Sequence, residues 1–446
     1  MSIRQASGRT DARFSTSNVG VPTVAVCLVA MAALSGTKRG LLVPGMRVSE
    51  ILAIGLIFFL LLGGRMRLPN GRVAVGLACY ALTTVSVMAF HMIGDASLGN
   101  ATIVTAALGP LALFTMYVAA SMARDVYDLL AHFVKYLMIA SAAMGVLGLL
   151  QTASIDLVLR GTSYLTGSQR ILEPLNWKVS RSIGLFNSWH AYASFMAITL
   201  VISIAVTASG LLVFRTMYRQ LAAMLLILVG LLSSVTFAMI FLAGLIGGYI
   251  LLRRGRVLLV ALAAITAALL VGWSPLSPYF SGRIAEQESG VGSSILPQTV
   301  AFRIEIWNRD YLPLFYENIL FGHGPIRADD SVFGYVESMY IDLLVTGGIL
   351  LFAAFVFLLA TIVFQLSPRL DPLDPDPKLY AAVRWGARLF TVSLIFAMLI
   401  HPYMRDAGAA QTLVIVSALA GSRFSGLSTS AGRSRERPRQ KPFNGR

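Results

Sequence analysis

The chain has 446 residues, 56% of them hydrophobic and only 13% charged, with a mean hydropathy of +0.73; a soluble domain carries roughly 25% charged residues. A soluble globular fold is thereby excluded, and lipid is the expected solvent. The net charge of +15 raises nucleic acid as a partner, but the basic residues sit in short connections between apolar runs and not on one face, so no nucleic acid is expected.

Residues 1–18 carry Arg4, Arg9 and Arg13 ahead of an apolar run with no small-residue cleavage site. They predict a cytoplasmic segment followed by a retained anchor and no removed signal peptide. Apolar runs then predict spans near 20–35, 48–64, 73–93, 101–122, 128–150, 186–213, 220–233, 235–252, 257–273, 339–365, 386–401 and 407–421. The expected fold is an all-α polytopic membrane protein with about twelve transmembrane helices, its transmembrane domain covering 19–421. Cys27 and Cys79 fall inside apolar runs, where thiols act as small hydrophobes, so neither a disulfide framework nor a metal site is expected.

Leu221 to Leu252 is long for one helix and short for two, with Ser233 and Ser234 as the possible turn. The placement of lysine and arginine decides between them, because short cytoplasmic loops retain positive charge. Twelve spans put 23 basic residues on the side of the termini against twelve opposite, with Lys135 inside a span, whereas one fused helix leaves 14 against 21. Both termini are therefore expected in the cytoplasm. Residues 422–446, rich in Ser, Arg and Pro, predict a disordered basic tail near anionic headgroups.

Two long extracytoplasmic loops follow from this topology, 151–185 and 274–338. The first carries Arg160, Arg170, Lys178 and Arg181 against Asp156 and Glu173, a net positive charge on the side where it is normally sparse. Arg181 stands beside the membrane, and a guanidinium suits bidentate capture of phosphate oxygens. His190, about one turn into the next helix, either donates to a phosphate or takes a hydroxyl proton, or is merely bonded to backbone.

The second loop is net negative. In it Ile304, Trp307, Tyr311, Leu314 and Phe315 recur at helical spacing, which predicts an amphipathic surface helix over Val300 to Glu317 with a kink at Pro313. Arg303 lies one turn before Trp307. Phe321-Gly322-His323-Gly324-Pro325 predicts a turn in which His323 supports the loop. Glu337 and Tyr340 lead into the next span, with Asp342 just inside it. An ionisable group within a span is a functional candidate, while a carboxylate at a helix start is also favoured by the dipole.

Arg181-x-x-Gly184-x-Phe186-Asn187 before a span, with Arg303-x-x-x-Trp307 and Gly322-x-Gly324 before a Gly-containing span, resembles the Wzy-type polysaccharide polymerases and O-antigen ligases. The resemblance covers about Gln151 to Ala360 and rests on the order of the motifs and their placement in two large loops. It implies a GT-C-like glycosyltransferase of the bacterial inner membrane, with an extracytoplasmic site between the loops. The donor would be a polyprenyl-diphosphate-linked glycan, with no cofactor and no obligatory metal. Arg181 and Arg303 would bind the diphosphate. Glu337 would face the sugar, and Arg170, Lys178, Asn187, Trp307, His323 and Tyr340 are further candidates for the glycan. Partners would be membrane lipids, a chain-length regulator and a flippase.

The chain departs from the family in two places. Ser233-Ser234-Val235-Thr236-Phe237 lacks the arginine of a common Ser-Arg pair, and Glu337-Ser338 stands where ligases commonly have His-Asn. The second departure favours a polymerase over a ligase. In the expected reaction an acceptor hydroxyl attacks the anomeric carbon of the donor and polyprenyl diphosphate leaves. Glu337, with His190 as second choice, would receive the proton. The alternatives are a ligase passing glycan to lipid A core or protein, and a twelve-span secondary transporter, although the two halves show no repeat.

Overall fold

In a computed structural model the described residues are 20–63, 71–94, 100–124, 128–172, 181–253, 260, 263, 281, 298–325, 336–370 and 374–421. Their regular structure is helical, with no strand among them. The helices are α1 (Gly20–Ala33), α2 (Val48–Leu62), α3 (Arg72–Gly94), α4 (Asn100–Ala123), α5 (Leu129–Thr152), α6 (Asp156–Thr166), α7 (Trp189–Ala208), α8 (Met217–Ser233), α9 (Phe237–Leu252), α10 (Gln298–Ile306), α11 (Leu312–Glu317), α12 (Met339–Gln365), α13 (Pro377–Ala397) and α14 (Ala409–Ala420).

By length and composition six of these, α3, α4, α5, α7, α12 and α13, can cross a membrane, and α1, α2, α8, α9 and α14 are shorter apolar helices. Phe58, Phe59, Leu62, Ile93, Phe241 and Phe396 point outward, more apolar surface than water tolerates and what lipid requires. The described part of the chain is thus an all-helical membrane protein. The span predicted at 257–273 lies outside the described residues, apart from 260 and 263, as do residues 1–18 and 422–446.

Helices at the centre of a bundle are covered by protein on every side. Two are so covered: every residue of α7 from Ala191 to Ala208 is buried, and so is every residue of α14. The other helices wrap this pair, with α5, α8, α9 and α13 against α7, and α3 pairing with α12. Small residues bring neighbours close, as where a Cβ on Gly145 of α5 would stand 2.2 Å from the Leu226 carbonyl of α8.

The structure corrects three boundaries. Residues 186–188 form a bend, and α7 starts at Trp189, capped by Ser188 Oγ accepting from Ala191 N at 3.1 Å, so His190 lies in its first turn. Helix α13 starts nine residues before the expected 386, at Pro377, capped by Asp376. The reason is Arg384, fully buried in its second turn and hydrogen-bonded to the carbonyls of Arg369 (3.0 Å) and Ala420 and to Asp374 at 2.7 Å. A hydropathy reading halts at such a charge. The divide between α8 and α9 falls at Ser234–Thr236, where β-branched Val235 adopts φ 49°, a left-handed conformation seldom seen for that side chain.

The amphipathic helix expected over Val300 to Glu317 is two pieces joined by a π-helical turn, Trp307–Tyr311. Pro313 lacks the N–H that would bond the Arg309 carbonyl, so the irregularity lies in the turn before it. The inward face changes accordingly: Ile306 and Tyr311, five apart as a π turn demands, are buried with Val336 and Val345, with Trp307, Leu314 and Phe315 against them, and Ile304 is exposed.

Helix α12 is itself interrupted, for Gly348 has φ 64° and ψ −163°. The segment 319–325 docks against this break by backbone hydrogen bonds, His323 N to Val345 O (2.7 Å), Gly324 N to Thr346 O (2.9 Å) and Ile349 N to Ile319 O (2.8 Å). Gly322 is required there, since a Cβ would lie 2.4 Å from the Val345 carbonyl.

Candidate functional site

Arg181 is positioned by a buried clamp. Gln151, near the end of α5 and 1% exposed, accepts from Ile183 N (2.9 Å) and Gly184 N (3.0 Å) and donates to Gly184 O and Thr162 Oγ1. That fully bonded amide pins the segment after Arg181. Ser182 N donates to Ser233 O at 3.2 Å, tying the same segment to the turn between α8 and α9. The Ser233–Thr236 turn therefore adjoins the Arg181 segment. The chain reverses at Gly184 (φ 54°), and the Arg181 guanidinium comes to rest over the Trp189 ring at 4.9 Å.

His190, the next residue, stacks on His401 with ring centroids 3.8 Å apart. His401 lies in the connection between α13 and α14, where its Nε2 contacts Asp406 Oδ2 at 2.8 Å and its ring lies 4.6 Å from that of Tyr403. The last turn of α13 and that connection are anchored to the start of α12, with Met339 N donating to Met398 O (3.0 Å) and Tyr340 Oη to Ile395 O (2.7 Å). Burial pushes the Tyr403 phenol up, Asp406 adds to this, and Arg303 pulls it down. Arg303 thus belongs to the same electrostatic neighbourhood, and it is ion-paired with Glu337. Both side chains retain water access, at 22% and 43% exposure.

A second polar group adjoins this one. Arg405 pairs with Asp342 at 2.6 Å and Arg39 with Glu50 at 2.9 Å. Arg47, just before α2, donates to the Ser35 carbonyl at 3.1 Å. Burial lowers its pKa, neighbouring Arg39 lowers it further, and Glu50 and Asp406 oppose both. These arginines help line a cavity of about 470 Å³ between α2, α3, α4, α12 and the 401–411 segment.

The residues singled out in the sequence divide as follows. Arg181, His190, Arg303 and Glu337 gather at one end of the bundle, although Arg303 and Glu337, expected to act on different parts of the substrate, form one pair. Asn187 is exposed beside them. Trp307 packs in the Ile306–Tyr311 cluster. His323 contacts the Leu314 carbonyl at 2.7 Å and supports the loop. Tyr340 is spent on the α13 carbonyl. Lys178 and the Arg170 side chain lie outside the described residues. Sequence reading passed over Arg39, Arg47, His401, Arg405, Asp406 and Gln151. The available signal was positive charge in the short loops 36–47 and 402–406, on the side predicted to be poor in it. Among the described residues no three His, Cys, Asp or Glu side chains gather as metal ligands. Compared with known proteins, the chain matches no family model and no curated protein.

Proposed function

We propose that this chain is a glycosyltransferase of the bacterial inner membrane that joins polyprenyl-diphosphate-linked repeat units into a surface polysaccharide, and that its site lies on the extracytoplasmic face. The observation that carries the reading is the convergence of Arg181, His190 and the Arg303–Glu337 pair, from segments up to 156 residues apart, around the His401–Asp406 connection. Guanidinium groups there would offset charge developing on the departing diphosphate, where preorganised electrostatics contribute most. Glu337, exposed enough to meet an acceptor hydroxyl, would take its proton, and the stacked pair His190 and His401 is the second group able to do so. Twelve spans with cytoplasmic termini belong to this proposal. They put the two long loops, the Arg39–Arg47 loop and the Arg405 loop on one side.

Deleting the gene and sizing the lipid-linked glycan tests the reaction. Loss of long chains with survival of a single capped repeat is expected. Long lipid-linked chains that never reach their acceptor would indicate a ligase instead, and unchanged glycan would remove both. Topology is checked separately with Ser163→Cys in a background lacking Cys27 and Cys79. A membrane-impermeant thiol reagent should label it in intact spheroplasts, and labelling only after lysis would overturn the twelve-span arrangement.

A further inference from the structure

The cavity beside the proposed site has two unlike halves. Its charged lining is Arg39, Arg47 and Arg405 with the carboxylates Glu50 and Asp342, and its apolar lining includes Tyr80, Met88, Leu113, Met116 and Leu351. Tyr80 and Leu351 stand about 20 Å along α3 and α12 from the loop end, at 1.5 Å of rise per residue. Its lining includes none of Arg181, His190, Arg303 or Glu337.

The three arginines are not equivalent. Arg39 and Arg405 each have a carboxylate partner, Glu50 and Asp342. Arg47 makes no ion pair among the described residues, and its Nε is buried without a hydrogen-bond partner. Burial and a like-charged neighbour already disfavour its cation. A desolvated guanidinium left with donors to spare, at the head of an apolar slot, suits an anion that carries a hydrocarbon tail. A phosphate supplies the acceptor oxygens for Arg47, and the apolar wall packs against the tail, a gain from van der Waals contact and not from removal of the tail from water.

We propose that this cavity binds a phosphorylated membrane lipid, its headgroup on Arg47 and its chain along the Tyr80–Met116–Leu351 wall, at a site separate from the Arg181 and Arg303 cluster. The proposal does not depend on the transferase reading. Prenyl diphosphates and bilayer phospholipids share the required chemistry.

The test counts bound lipid by native mass spectrometry on full-length protein in phosphatidylcholine nanodiscs, with farnesyl diphosphate as probe. Arg47→Gln should weaken one bound lipid at least tenfold. So should Gly109→Leu, which narrows the cavity where an added Cβ meets nothing within 4 Å and leaves the charges in place. Arg181→Gln should leave that lipid bound. Displacement by phosphatidylglycerol would assign the pocket to bilayer phospholipid, and failure to displace would assign it to prenyl phosphates; either upholds the site. Wild-type binding by both the Arg47 and Gly109 variants overturns the proposal. So does loss of all bound lipid in Arg181→Gln, and so does inorganic pyrophosphate competing as well as farnesyl diphosphate. Failure of the transferase reading would instead appear in glycan length, with lipid binding intact.

Discussion

The two ends of the bundle use charge in opposite ways. At the end where α12 finishes, Arg384 is fully buried, and its nitrogens go to Asp374 and to two backbone carbonyls. Beside it Gln365 accepts from Val73 N at 2.9 Å and donates to Tyr117 Oη (3.1 Å) and Ser417 O (2.9 Å), joining α3, α4, α12 and α14. At the other end the pairs Arg303–Glu337 and Arg405–Asp342 keep part of their surface open, Arg405 being 54% exposed. A buried, fully bonded cation holds helices together and has nothing left for a ligand. A half-exposed one can exchange its partner for a substrate anion.

The closed end of the bundle is most vulnerable at Arg384. Arg384→Ala breaks a buried ion pair by removing the guanidinium from Asp374, at a cost of about 3–5 kcal/mol. Membrane abundance and thermal unfolding in detergent should both collapse, and Asp374→Ala in the same chain should restore part of the loss. Normal abundance of the single variant would mean that this end is no more structural than the other.

Glu337→Gln should do the reverse. Abundance and heat stability should stay at wild-type levels while single-turnover extension of lipid-linked repeat units in liposomes slows roughly a hundredfold or more. Extension at the wild-type rate would make Glu337 a partner for Arg303 alone, and His190 the next residue to vary. A smaller effect is expected from Arg181→Lys and Arg303→Lys. Both keep the charge and lose the forked geometry, so extension should fall by about tenfold with protein levels unchanged. Two fully active lysine variants would reject diphosphate binding by these residues.

Much of this organisation is written locally. The apolar runs that became helices, the turn after Ser233 and the helix-start position of Glu337 all follow from residue type and its neighbours in the chain. Membrane insertion and helix formation depend on sums over adjacent residues, so a sequence suffices. Positive charge in the first predicted external loop likewise pointed to Arg181, whereas Arg303 was marked only by its spacing to Trp307 and by the resemblance.

What the chain order does not contain is which charges meet. Whether Arg384 lies inside a helix turns on a carboxylate ten residues away and on carbonyls of two other segments. His190 acquires its place from His401, 211 positions further on, and Arg303 from Glu337, 34 positions on. The Arg181 segment is held by one buried glutamine, Gln151, which reads in the sequence as the polar end of a span. Hydropathy assigns each polar residue a fixed cost. The cost of burying one depends on the partner it finds, and for these residues the partner comes from a different segment of the chain, which only the packed bundle brings close enough.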